Sequence, residues 1–97
     1  MIRQLNGTVV THEPPTITIS VGGVGYAVAV PHTEAFPRNT DVTVHTYLAV
    51  RETALDLYGF PTTDELALFE LLLTIPKVGP KSALQILAQA DFAMLTT

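Results

Sequence analysis

The stretch Leu73-Thr74-Ile75-Pro76-Lys77-Val78-Gly79-Pro80-Lys81-Ser82-Ala83 holds the residue types that could bind a phosphate. Pro80 can open a helix at no hydrogen-bond cost, because the first helical N–H lacks an acceptor in any case. The N-terminus of that helix offers unpaired amides and about half a positive charge. Gly79, just before it, places no Cβ in the path of an approaching phosphate. Lys81, one position inside, adds a point charge beside the amide donors. Val78 is the apolar residue that would anchor the turn in a core, and Lys77 and Ser82 flank the candidate site. The pattern has the shape of a helix–hairpin–helix element. None of these groups reads a base edge, so binding here is expected to be sequence-independent and salt-sensitive. The alternative is a plain αα-hairpin with a turn glycine and a solvated lysine.

Two helices must hold this turn. Thr62-Thr63-Asp64-Glu65, after Pro61, has capping-box spacing and starts the first. Leu68, Phe69, Leu72 and Leu73 form a stripe at helical spacing, with Leu66 and Leu71 off it. Pro76 disfavours helix in the residue before it, so the first helix should stop near Thr74. The second runs from Pro80 through Ala83, Ile86, Leu87 and Ala90. Burial of Leu68, Phe69, Leu72, Leu73, Ile86 and Leu87 is expected to hold the hairpin. Asp91 can cap a third helix through Phe92, Ala93, Met94 and Leu95, which has barely begun at the last residue. The chain therefore reads as truncated.

The residues before the helices have a period of two. Val9 and Val10 lie in a β-branched run, and Thr16 to Val21, Tyr26 to Val30 and Val42 to Leu48 alternate, as strands with one buried face do. A fifth strand fits Leu55-Asp56-Leu57-Tyr58-Gly59. Glu13-Pro14-Pro15 and Val21-Gly22-Gly23-Val24-Gly25 supply turn chemistry. Five short strands suggest a small barrel, since closure hides strand edges. An OB-fold and an SH3-like barrel both satisfy this pattern.

Composition excludes several classes. In 97 residues, 47% are apolar and 14% charged, which suits a packed domain rather than a disordered chain. No apolar run approaches the roughly 20 residues of a membrane span. The N-terminus lacks the basic-then-apolar order of a signal peptide, and a cytoplasmic location is expected. With no cysteine there is no disulfide, zinc–thiolate site or thiol nucleophile. His12, His32 and His45 are scattered, no nucleophile or ATPase phosphate-loop motif occurs, and neither catalysis nor a cofactor is expected. The net charge of −4 means that any nucleic-acid site must be local.

Across its length the chain resembles the N-terminal half of the RuvA family, the Holliday-junction-binding subunits of bacterial branch-migration machines. Met1-Ile2, Gly22-Gly23-Val24-Gly25-Tyr26, Val50-Arg51-Glu52, Leu57-Tyr58-Gly59-Phe60 and Val78-Gly79-Pro80-Lys81 carry the resemblance, in the family's order. It implies a five-stranded OB-fold barrel over 1–61 and, over 62–97, the first part of a helix–hairpin–helix DNA-binding domain. It also implies a non-catalytic homotetramer that holds a four-way junction open for recombination and repair. The partners implied are the hexameric RuvB ATPase and the RuvC resolvase. On this resemblance Lys77 to Ser82 fall in the first DNA-gripping hairpin, and Glu52 is one carboxylate of an acidic pin that parts strands at the crossover. The chain departs from the family at Lys77, where glycine is usual, and at Thr53, which is uncharged where a second pin carboxylate is usual. Asp56 lies near in sequence. The family's second hairpin and third domain have no counterpart in these residues. Two other readings remain: a barrel that stacks single-stranded bases on Tyr26, Tyr47, Tyr58 or Phe60, and a scaffold that does not touch DNA.

Overall fold

The computed structural model describes residues 2–51 and 53–89. Five strands come first: β1 (Gln4–Glu13), β2 (Thr16–Val21), β3 (Val24–Ala29), β4 (Asp41–Arg51) and β5 (Ala54–Phe60). Helices α1 (Thr63–Leu72) and α2 (Pro80–Gln89) follow. The third helix expected from Asp91 lies outside the described residues.

The strands close into a barrel in the order β1-β2-β3-β5-β4, the five-stranded OB-fold arrangement. Gly22 and Gly23 take φ of 57° and 86°, which is what a two-residue turn matching the twist of β2 and β3 demands. Pro14 and Pro15, joined by a cis peptide bond, turn β1 into β2. The pairing of β1 with β2 slips between Val9 and Thr11. Such an irregularity bends a strand, and β1 pairs with β2 through Thr8–Glu13 and with β4 through Gln4–Thr8. Closure needs one parallel contact, Val28 with Leu57 and Ala29 with Tyr58, between β3 and β5.

Alternation gives the barrel its interior. Leu5, Val9, Ile17, Ile19, Val28, Val30, Phe36 and Val44 form one buried cluster. Thr46, also buried, donates its hydroxyl to Ile2 O at 2.8 Å. Gly59 permits close packing in this interior: a Cβ there would stand 2.4 Å from Val44 Cγ1 and 2.6 Å from Val28 Cγ1.

A second cluster welds the helices to the barrel. Tyr58 and Phe60 from β5 join Leu66 and Phe69 from α1 and Ala83, Leu84 and Leu87 from α2. The capping reading holds: Thr62 is the N-cap of α1, and its Oγ1 accepts from Glu65 N at 3.1 Å. Phe69 and Leu87 are buried as expected, and Leu68, Leu72 and Leu73 are partly buried against the same cluster. The expectation for Ile86 fails, since it is 43% exposed and Leu84 is buried instead. Both residues lie on legitimate i, i+3, i+4 stripes of α2, and docking against Tyr58 and Phe69 selects the one that contains Leu84. Leu66 is also buried, because α1 is covered by the barrel on one side and by α2 on another, while Leu71 faces outward.

Candidate nucleic-acid interface

The turn between the helices is built by short-range backbone bonds. Thr74 N, Ile75 N and Val78 N donate to Leu71 O, Leu72 O and Ile75 O, each at 3.1 Å. Thr74 Oγ1 adds a bond to Leu71 O at 2.6 Å. Lys77 then takes φ of 70°, in the left-handed region, and turns the chain toward α2. Val78 packs inward on the helix–barrel cluster, as its apolar side chain suggests.

The helix-opening geometry sits at Gly79. Ala83 N donates to Gly79 O at 2.9 Å, the first intrahelical bond of α2. Gly79 is therefore its N-cap, and the amides of Lys81 and Ser82 precede any intrahelical acceptor. A Cβ built on Gly79 meets nothing within 4 Å, so the approach is open. Lys77, Lys81 and Ser82 are exposed and Pro80 is half-buried. Neither lysine has an ion-pair partner among the described residues. Around the inward-packed Val78, the other five candidate residues thus lie together on one surface element.

The start of α2 faces the barrel across a groove. One cavity of about 440 Å³ is lined by Gly79, Pro80, Lys81 and Ser82 on one side and by Tyr47, Arg51, Asp56 and Tyr58 among the opposing residues. A second, of about 470 Å³, continues along α2 past Leu84 and Gln85 toward Pro15 and Leu57. Arg51, Asp56, Tyr58 and Lys81 line both. Arg51 Nη2 lies 2.6 Å from Asp56 Oδ2. The sequence reading did not connect these two residues, although the signal was present. The β4–β5 register places Arg51 opposite Ala54, which makes Asp56 its diagonal neighbour on the same face. Asp56 is thus engaged with Arg51 while its side chain stays part-exposed. Glu52 itself lies outside the described residues.

Each of the four aromatic residues considered for base stacking packs within the fold. Tyr47, Tyr58 and Phe60 all pack on Phe69, with ring centroids 5.5, 5.5 and 4.8 Å away. Tyr26 packs against the barrel core. Burial pushes the Tyr58 hydroxyl pKa up, Asp56 adds to the rise, and Arg51 opposes it. Two of the three histidines have local partners: His12 Nε2 donates to Phe36 O at 2.5 Å, and His32 lies 3.4 Å from Glu34. Among the described residues no group of three His, Asp or Glu is placed to hold a metal ion. No helix among them is long and apolar enough to cross a membrane.

The family described as RuvA N terminal domain matches residues 1–59. The chain belongs to the RuvA family. Proteins named "Holliday junction branch migration complex subunit RuvA" are similar to it beyond the barrel. That of Clavibacter michiganensis subsp. michiganensis is 46% identical over 93 residues, covering 94% of this chain and 44% of the relative. That of Thermus thermophilus is 44% identical over 90 residues, covering 91% and 47%. That of Lactococcus lactis subsp. lactis is 41% identical over 99 residues, covering 100% and 50%. The similarity to RuvA thus takes in the hairpin as well as the barrel. The chain spans about half the length of the curated relatives it matches.

Proposed function

We propose that this chain grips the sugar–phosphate backbone of four-way DNA junctions as part of a RuvA-type branch-migration assembly in the cytoplasm. The observation that carries the reading is the open N-terminus of α2: Gly79 has free space before it, and Lys81 stands exposed in the first turn. An anionic backbone meets amide donors, a helix dipole and a lysine there together. The family relationship supplies the shape of the DNA, because the relatives are named for Holliday junctions.

In this reading the chain does no chemistry of its own. The motor is a separate ATPase of the RuvB kind, and RuvC is the resolvase that cuts the held junction. Residues 1–61 form the barrel domain through which four copies assemble, and 62–97 begin the DNA-holding domain. Val78 and Pro80 shape the hairpin, while Lys77, Gly79, Lys81 and Ser82 meet phosphate. Glu52, brought toward the centre of a tetramer, repels phosphates at the crossover and guides the strands apart.

A gel-shift competition at low salt tests this, with a synthetic four-way junction against linear duplex and single strand. Junction preference is expected, and Lys81→Ala should weaken binding and flatten the salt dependence by about one counterion. Indifference to Lys81→Ala with binding retained would move the site elsewhere. A preference for single strands would overturn the reading.

A further inference from the structure

A second cation reaches the groove beside Lys81, and a carboxylate already holds it. Arg51 near the end of β4 and Asp56 on β5 are fixed as diagonal neighbours by the backbone register, Arg51 opposite Ala54 and Ala49 opposite Asp56. Their charged atoms meet at 2.6 Å, and their side chains remain 60% and 36% exposed. Both line the two cavities that Lys81 also lines. A phosphate seated at Lys81 therefore enters a space where the nearest additional guanidinium is occupied and an anion stands beside it.

A guanidinium presents one fork of N–H donors to carboxylate and phosphate alike, so the two acceptors compete for it. An exposed ion pair has little net strength, because water screens it and both side chains lose freedom in forming it. The competition is thus open to a strong, multiply contacted polyanion. We infer that Asp56 restrains DNA affinity: it withholds Arg51 from phosphate and places a negative charge in the groove. The inference rests on the phosphate-binding reading of the hairpin. Asp56 is then the residue that sets how tightly this chain holds its junction and how readily it lets go.

The test is a salt titration of junction binding by the native chain, Asp56→Asn, Arg51→Gln and the double variant, with melting temperatures as fold controls. Asp56→Asn keeps the side-chain shape and removes the charge. It should tighten binding by roughly 3- to 10-fold and steepen the slope of log affinity against log salt by about 1, as one more phosphate contact does. Arg51→Gln alone should change little, while Arg51→Gln in the Asp56→Asn background should lose most of the gain. Asp56→Ser serves as a second neutral variant should the asparagine lower the melting temperature. Unchanged or weaker binding by both neutral variants would overturn the inference, and so would an Arg51→Gln loss as large as that of Lys81→Ala. Should the native chain fail to bind while Asp56→Asn binds, the restraint stands and the native hairpin is insufficient. Should none of the proteins bind, both the restraint and the hairpin reading fall.

Discussion

The ring of Phe69 in α1 lies 4.8 Å, centroid to centroid, from that of Phe60 at the end of β5. Tyr47 and Tyr58 complete the cluster around Phe69, each at 5.5 Å. The first helix is thus fixed to the last barrel strand by aromatic contacts worth more than their buried area alone. Position is handed from barrel to α1, from α1 through the short turn to Gly79, and so to the start of α2. Phe69→Ala should cost about 3–5 kcal/mol in a urea unfolding experiment, as deletion of a fully buried phenyl ring does. A loss below about 1 kcal/mol would mean that α1 does not dock here.

Lys77 and the backbone it occupies make a separate prediction. Its φ of 70° lies where a Cβ is unfavourable and glycine is at ease. Lys77→Gly relieves that strain and gives part of it back through greater freedom in the unfolded chain. Its stability should equal the native value or exceed it by up to about 1 kcal/mol. Lys77→Val, β-branched at the same φ, should be less stable than either. The order Gly, Lys, Val in melting temperature is the readout, and a Lys77→Gly variant that melts well below native would contradict the left-handed turn.

Gly79 separates binding from folding. A serine there has open space around it and is a favoured N-cap. Gly79→Ser should therefore keep stability or raise it by about 0.3 kcal/mol. Its Oγ would take one of the free α2 amides and crowd the phosphate, so junction affinity should fall roughly tenfold, the value of one charge-assisted hydrogen bond. Parallel melting and gel-shift measurements check both halves, and unimpaired binding would remove Gly79 from the interface.

Tyr58 predicts a loss of stability in alkali. Burial raises its pKa above the ordinary value of about 10, so the native state holds this proton more tightly than the unfolded chain does. Stability is unaffected by this group below about pH 10 and falls as pH rises from there toward the raised native value, because the unfolded chain binds fewer protons. Urea midpoints at pH 8 and pH 10.5 should fall further in the native protein than in Tyr58→Phe. Equal falls would place the Tyr58 hydroxyl in water.

Those local devices show where sequence patterns suffice. Alternation over Thr16–Val21, the Gly22-Gly23 turn, the Thr62 cap and the Pro80 start depend on adjacent residues, and each is present as read. Features that depend on distant contacts were not legible. Leu84 rather than Ile86 faces inward because the barrel presents Tyr58 and Phe69 to that side of α2. The parallel closure of β3 on β5 leaves no mark in either strand's alternation. At the site, the helix start beside Gly79 was readable from spacing, whereas the left-handed φ of Lys77 was not, because lysine itself carries no signal for it. The pairing of Arg51 with Asp56 needed the register of the β4–β5 hairpin.

The double duty of β1 sets an order of events for a chain that is made from its N-terminus. Its second half can zip at once onto β2, across the Pro14-Pro15 turn. Gln4–Thr8 must wait for Asp41–His45. Thr8 and Asp41, whose side chains clasp at 2.7 Å, stand 33 positions apart. Until β4 emerges from the ribosome, Gln4–Thr8 keep a row of amides and carbonyls without their strand partner, which any extended neighbour could occupy. The β1–β4 seam therefore joins strands separated by two others in the chain, and closing that long loop costs more chain entropy than forming the hairpins within it.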